Sequence, residues 1–166
     1  MDRKRDAVGA GDWNEVGQLL VAAFGPSKYE SALMARLRRA GREVREWMVR
    51  KDGRIIAQVA FTNAYRGASP IGLQLAPVSV HPAWQRRGIG TFLLSQSLAV
   101  PGIAGTAVFV LGDPHYNGRF GFQLVARPRC PFDPDDQHFQ ALRWTSADDF
   151  TVGYEPEFQN IEPKVH

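Results

Sequence analysis

The run Gly72–Leu94, GLQLAPVSVHPAWQRRGIGTFLL, changes its hydrophobic period midway. Its apolar first part ends at Val80, His81-Pro82 interrupts it, and after the loop QRRGIG apolar residues return at Ile89, Phe92 and Leu93 with helical spacing. That pattern predicts a strand, a glycine-bearing loop and a helix. A helix start leaves backbone N–H groups without partners and carries the positive end of the peptide dipoles, so the loop favours an anion. Gly88 and Gly90 lack Cβ atoms and let a phosphate oxygen approach the main chain. Arg86 and Arg87 put two positive charges beside the same amides. The expected ligand contains phosphate.

Spacing narrows the kind of phosphate site. The chain has no GxxxxGK run followed by Ser or Thr, and Leu93 stands where a GxGxxG fingerprint needs its third glycine. The run Gln85, Arg86, Arg87, Gly88, Ile89, Gly90 instead resembles the QxxGxG loop of the GNAT superfamily of N-acetyltransferases, and it follows a strand ending VSVHPAWQ. Two later stretches carry the same resemblance. One is VFVLGDPHYNGRFGF, Val108–Phe122, in which a strand leads to a short helix of the GDPxYxxRFGF type ending in GF; the other is TVGYEPEF, Thr151–Phe158.

The resemblance implies an α/β (α+β) fold: a mixed, mostly antiparallel sheet, splayed at its central strand, with helices on both faces. It implies acetyl-CoA as co-substrate and transfer to a primary amine by direct attack in a ternary complex, with no metal and no covalent enzyme intermediate. The pantetheine arm would pair with the backbone of Val78, Ser79 and Val80, the amide near Val78 polarising the thioester carbonyl. The pyrophosphate would sit on Gln85, Arg86, Arg87, Gly88, Ile89, Gly90 and Thr91. Pro77 removes a ladder hydrogen bond inside that strand, so a bulge is expected there.

In many GNAT enzymes a tyrosine four residues before the glycine of the GF pair protonates the leaving thiolate. Counting back from Gly121 reaches Asn117, which cannot act as an acid, with Tyr116 beside it. A one-residue offset turns a helical side chain by about 100°. Tyr116 is the candidate acid, weighed against core packing. For the base, no Asp or Glu occurs between Asp52 and Asp113, so the central strand carries no carboxylate. Asp113 and His115 are the candidates, with Glu30 more remote. Asp113 before Pro114 is also a good helix N-cap, the reading favoured for it. His81, His115, His138 and His166 have no ligand spacing, and no metal site is expected.

At 166 residues, 44% hydrophobic and 22% charged, the chain is expected to form one domain over residues 1–166 with its own core. An excess of three positive charges, 20 against 17, does not point to nucleic acid, even at a pI near 9.3. The arginines are spread out rather than clustered with stacking aromatics. One cysteine cannot form an internal disulfide, and no apolar run reaches the ~18 residues of a membrane span. A cytoplasmic protein, monomer or homodimer, with a small-molecule or peptide amine as its partner, is the expectation. The rival is a catalytically weak or inactive acyl-CoA-binding sensor or partner module on the same fold.

The remaining chain reads in order. Residues 1–11 are a polar lead with a mobile beginning. Asp12 is the candidate N-cap, with Glu15 three residues on, of a helix burying Trp13, Val16, Leu19, Leu20 and Phe24. A second helix runs from about Lys28 to Ala40. Strands at 44–49 and 54–63 flank Lys51-Asp52-Gly53, a hairpin signal. A buried strand covers 107–111, and a last long strand 137–144.

Overall fold

The structure, a computed structural model, describes residues 3–135 and 137–160, with the side chains of 159 and 160 left aside. The expected mobile beginning at Met1 and the tail to His166 lie outside the described residues. Contacts group the chain into two compact units, Met1–Phe61 with Ala76–Ala104 and Thr62–Leu75 with Gly105–His166. Its strands follow the hydrogen-bonded order β1-β2-β3-β4-β5-β7-β6. They are β1 (Asp6–Ala7), β2 (Arg45–Lys51), β3 (Arg54–Arg66), β4 (Ser69–Val80), β5 (Val108–Leu111), β6 (Gln123–Leu124) and β7 (Phe139–Leu142). The helices are α1 (Trp13–Phe24), α2 (Tyr29–Arg39), α3 (Ile89–Leu98) and the single turn α4 (Pro114–Asn117). No helix among the described residues is long and apolar enough to cross a membrane.

In the first unit, β2 and β3 form the hairpin announced by Asp-Gly. Lys51 pairs with Arg54, and Asp52 and Gly53 both take positive φ, 52° and 77°, as a two-residue turn matched to the strand twist requires. Side chains alternate along β2. Glu46 meets Arg38 of α2, whereas Trp47 lies under Arg5, whose guanidinium also binds the Gln96 carbonyl of α3. Successive strand residues point to opposite faces, so helices cover both faces of this sheet segment. The buried residues of α1 (Val16, Leu19, Leu20) and of α2 (Leu33, Met34, Leu37) fall at the i, i+3, i+4 spacing of one stripe.

Two details of this unit differ from the expectation. Asp12 makes no cap bond into α1, because a 3₁₀ turn over Ala10–Asp12 precedes the helix and puts Asp12 already in helical geometry. Its carboxylate turns back to the Gly9 N–H and pairs with Arg50, while Glu15 accepts from the Ile55 N–H at 2.8 Å. Trp13 is 44% exposed, its ring covered by the Arg38 guanidinium 4.8 Å away rather than by core.

In the second unit β4 runs parallel to β5 through Leu73↔Val108, Gln74↔Phe109 and Leu75↔Val110, and β5 pairs antiparallel with β7. The parallel ladder stops at Leu75, one residue before β5 ends, while β4 continues to Val80. Pro77 lies past the parallel ladder with β5, behind a cis Ala76–Pro77 peptide. Gly72 is fixed by close approach: a Cβ there would stand 2.5 Å from the Ala107 carbonyl oxygen, which accepts the Leu73 N–H. The core gathers Ala64, Phe109, Cys130, Phe139, Ala141 and Val152, with the rings of Phe109 and Phe139 stacked at 5.6 Å. Burial pushes the Cys130 thiol up. β7 is shorter than the expected 137–144, because Asp133 takes the His138 and Phe139 N–H groups at its start and Arg143 turns to φ 60° at its end.

Candidate functional site

The first unit holds all the residues assigned to a phosphate ligand. β4 leaves the sheet after the His81 N–H binds the Ile56 carbonyl at 2.8 Å. Pro82–Trp84 makes one 3₁₀ turn, capped by His81 Nδ1, which accepts the Ala83 N–H. Gln85 folds back and donates its side-chain amide to the Val80 carbonyl at 3.0 Å, tying loop to strand. Arg86 at φ 62° and Gly88 at φ 76° are left-handed. Such a conformation costs a non-glycine residue about 1–2 kcal/mol, so the surroundings hold Arg86 there. Ile89, Leu93 and Leu94 are fully buried and anchor α3.

A left-handed residue followed by a helical one turns successive N–H groups into a concavity suited to an anion. Gly88 and Ile89 are such a pair. No hydrogen bond from the backbone N–H groups of Arg86, Arg87, Gly88, Ile89 or Gly90 is found among the described residues. The side chains of Arg86 and Arg87 are exposed, the latter with its guanidinium 5.0 Å over the Trp84 ring. Val78 and Val80 are half-buried and Ser79 is buried; the Val80 carbonyl is shared with Gln85.

A buried polar chain missing from the sequence reading ends on Ser79. Its hydroxyl donates to Gln58 Oε1 at 3.1 Å, Gln58 Nε2 donates to Glu46 Oε2 at 2.8 Å, and the same oxygen accepts from Arg38 at 3.1 Å. Burial raises the Glu46 carboxyl and lowers the Arg38 guanidinium, outweighing their mutual attraction in both. Glu46 sits in an alternating strand between Arg45 and Trp47, on the face where Arg38 of α2 and Gln58 of β3 meet it. A groove of about 790 Å³ runs between α1 and α2, lined by Trp13, Gly17, Val21, Met34 and Arg38 among others, and none of Val78–Val80 or Gln85–Thr91 lines it. Burial also pushes the Tyr29 phenol, at the start of α2, up to about 12. Glu30 is buried with its carboxylate on the Ser27 hydroxyl at 3.0 Å.

The second unit holds the proton-transfer candidates. Asp113 Oδ1 accepts the His115 N–H at 2.9 Å, and Pro114 occupies the first helical position, so Asp113 caps α4. His115 is exposed. Tyr116 is half-buried, edge-on to Phe120 at 5.5 Å, with the Arg119 guanidinium 5.4 Å over its ring. Asn117 is the buried member of the turn and packs close to Gly112, where a Cβ would meet its Nδ2 at 3.3 Å. The two neighbours thus point differently, as the helical offset requires. Among the described residues no three His, Cys, Asp or Glu side chains gather to hold a metal.

Comparison with known proteins adds independent findings. The pattern of the Acetyltransferase (GNAT) family matches residues 13–100. The uncharacterized N-acetyltransferase YjhQ of Escherichia coli (strain K12) is 30% identical over 136 residues, 76% of this chain and 75% of YjhQ. The crystal structure of the GNAT family N-acetyltransferase YhbS of Escherichia coli in complex with CoA superposes with a TM-score of 0.87 at 25% identity, covering 96% of this chain and 93% of that one. A GNAT family acetyltransferase of Brucella melitensis in complex with acetyl-CoA gives 0.78 at 29% identity, covering 95% and 98%.

Proposed function

Because the chain belongs to the Acetyltransferase (GNAT) family, we propose that it moves the acetyl group of acetyl-CoA to a primary amine of a small molecule or peptide, by direct attack in a ternary complex. The observation that carries this reading is the row of N–H groups from Arg86 to Gly90, without acceptors among the described residues, at the start of α3. A pyrophosphate brings several oxygens that need donors, and this loop offers donors and two guanidinium groups. The relatives in complex with CoA and with acetyl-CoA support the same ligand.

Acetyl-CoA supplies an activated acetyl thioester. Arg86, Arg87 and the amides through Thr91 hold its pyrophosphate. Val78, Ser79 and Val80 lend backbone groups to the pantetheine arm, the Val78 N–H polarising the thioester carbonyl. The attacking nitrogen gains the acetyl carbon and loses one proton, and the departing sulfur gains one. Tyr116 is the donor to sulfur; His115, or the carboxylate oxygen of Asp113 that does not cap α4, takes the proton from the amine.

Calorimetry on the purified chain is expected to show binding of CoA and acetyl-CoA, and a panel of amines is expected to accelerate thiol release from acetyl-CoA. Absence of binding by either at millimolar concentration overturns the reading. Tyr116→Phe is expected to lower kcat about 100-fold with the CoA dissociation constant unchanged; unaltered turnover removes Tyr116 from the reaction. Asn117 in the position usual for the acid, and the Asp113 cap, favour one second reading, an acyl-CoA-binding sensor or partner module. Tight binding with no thiol release to any amine selects it.

A further inference from the structure

The segment before α1 reaches the phosphate loop from the far end of the sequence. β1 pairs with the edge of β2 through Asp6↔Met48 and Ala7↔Trp47, and the Val8 N–H extends the pairing to the Glu46 carbonyl at 3.0 Å. Two residues apart along this extended stretch, Arg3 and Arg5 both reach backbone carbonyls around α3. Arg5 binds Gln96 O at 2.9 Å. Arg3 is forked: Nη1 donates to Gly88 O at 3.2 Å and Nη2 to Arg87 O.

A trans peptide is planar, and its C=O and N–H point in opposite directions. Holding the Arg87 carbonyl therefore sets where the Gly88 N–H points, and holding the Gly88 carbonyl sets the Ile89 N–H. These are two of the amides left without acceptors. The Gly88 carbonyl also accepts the Phe92 N–H of α3 at 3.0 Å, so Arg3 reinforces that peptide, whereas at the Arg87 carbonyl it holds one outside the helix. The cation at the carbonyl end also polarises both peptides and strengthens their N–H groups as donors. A Cβ at 88 would come within 3.3 Å of Arg3 Nη1, a tight contact to which the guanidinium would yield by a few tenths of an ångström.

We propose that Arg3 is a positioning residue for the acyl-CoA site: its fork locks the 87–88 peptide and, together with the Phe92 N–H, the 88–89 peptide, with their N–H groups turned toward the pyrophosphate. This rests on the reading of the loop as the CoA site. The proposal assigns Arg3 no contact with the ligand, and the Arg5 contact with Gln96 fastens the segment without touching the loop.

Calorimetric titration of the full chain with CoA at fixed ionic strength tests it, together with ¹⁵N relaxation of the unliganded protein. Arg3→Ala is expected to raise the CoA dissociation constant about tenfold, and Arg3→Lys, which keeps the charge but not the fork, to remain at least about threefold weak. Arg5→Ala is expected within about twofold of the wild type. The order parameter of the Gly88 N–H is expected to fall in Arg3→Ala and to stay unchanged in Arg5→Ala. Affinity of Arg3→Ala within twofold of wild type, full restoration by lysine, or an unchanged order parameter in Arg3→Ala overturns the proposal. Failure of the wild-type chain to bind CoA would instead strike the cofactor reading, leaving the relaxation comparison to judge the brace alone.

Discussion

Glu46→Ala is expected to lower the unfolding free energy by about 3–5 kcal/mol, measured by denaturant titration at neutral pH. The side chains of Arg38 and Glu46 are only 10% and 5% exposed, and one carboxylate oxygen serves both Arg38 and Gln58. Alanine leaves a guanidinium and an amide N–H buried without that acceptor, the condition under which a buried pair is most costly to break. The charge also sets the direction of the chain. Gln58 must donate to Glu46, so its oxygen faces Ser79 and accepts a hydrogen bond from that hydroxyl, fastening β4 across β3 to β2. A loss under about 1 kcal/mol would show that the network holds nothing together.

The pH dependence has a definite sign. Burial raises the folded-state pKa of Glu46 above its ordinary 4.5, so in that interval the native chain keeps a proton that the unfolded chain has lost. The stability this contributes is fully present below 4.5 and is lost as pH rises through the raised value. Glu46→Gln is neutral throughout and retains an amide oxygen for Gln58. Wild-type stability relative to Glu46→Gln is therefore expected to decline from acidic toward neutral pH, and a rise over the same interval would contradict the burial of this carboxyl.

What the sequence revealed and what it hid divide along one physical line. Local chemistry was legible. Asp52-Gly53 specifies positive φ at two consecutive residues, and both adopt it; Asp113-Pro114 specifies a capped helical turn, and one forms. The stripe Leu33, Met34, Leu37 announced its helix, and the strand, glycines and arginines from Val78 to Gly90 announced theirs. Asp12 misled because two outcomes for its carboxylate, the next turn or the preceding one, carry the same local pattern, and Arg50, 38 residues away, favours the second. Arg3 was illegible for the same reason: a two-residue strand has no period, and its targets lie 84 and 85 residues downstream. Glu46 gave no signal in the sequence because alternation tells which side chains share a face, not what later covers that face. Tyr116 and Asn117 stayed ambiguous because in a four-residue helix flanked by a 3₁₀ turn no long stripe fixes which side is inward.

Gly88→Val is expected to raise the CoA dissociation constant about 100-fold or more while lowering unfolding free energy by only about 1–3 kcal/mol. The backbone at 88 has φ 76°, a region in which a β-branched residue is a severe outlier, so valine drives the chain toward negative φ. That rotation swings the N–H groups of Gly88 and Ile89 out of the concavity, and the added Cβ, 3.3 Å from Arg3 Nη1, crowds the brace as well. Fold stability suffers less, because Ile89, Leu93 and Leu94 remain buried and continue to hold α3. Gly88→Asn separates the two effects, since asparagine tolerates left-handed geometry but still brings a Cβ against Arg3. It is expected to lose no more affinity than Arg3→Ala. If calorimetry instead finds valine and asparagine equally mild, the direction of these two amides does not govern ligand binding, and the phosphate must be held by Arg86 and Arg87 alone.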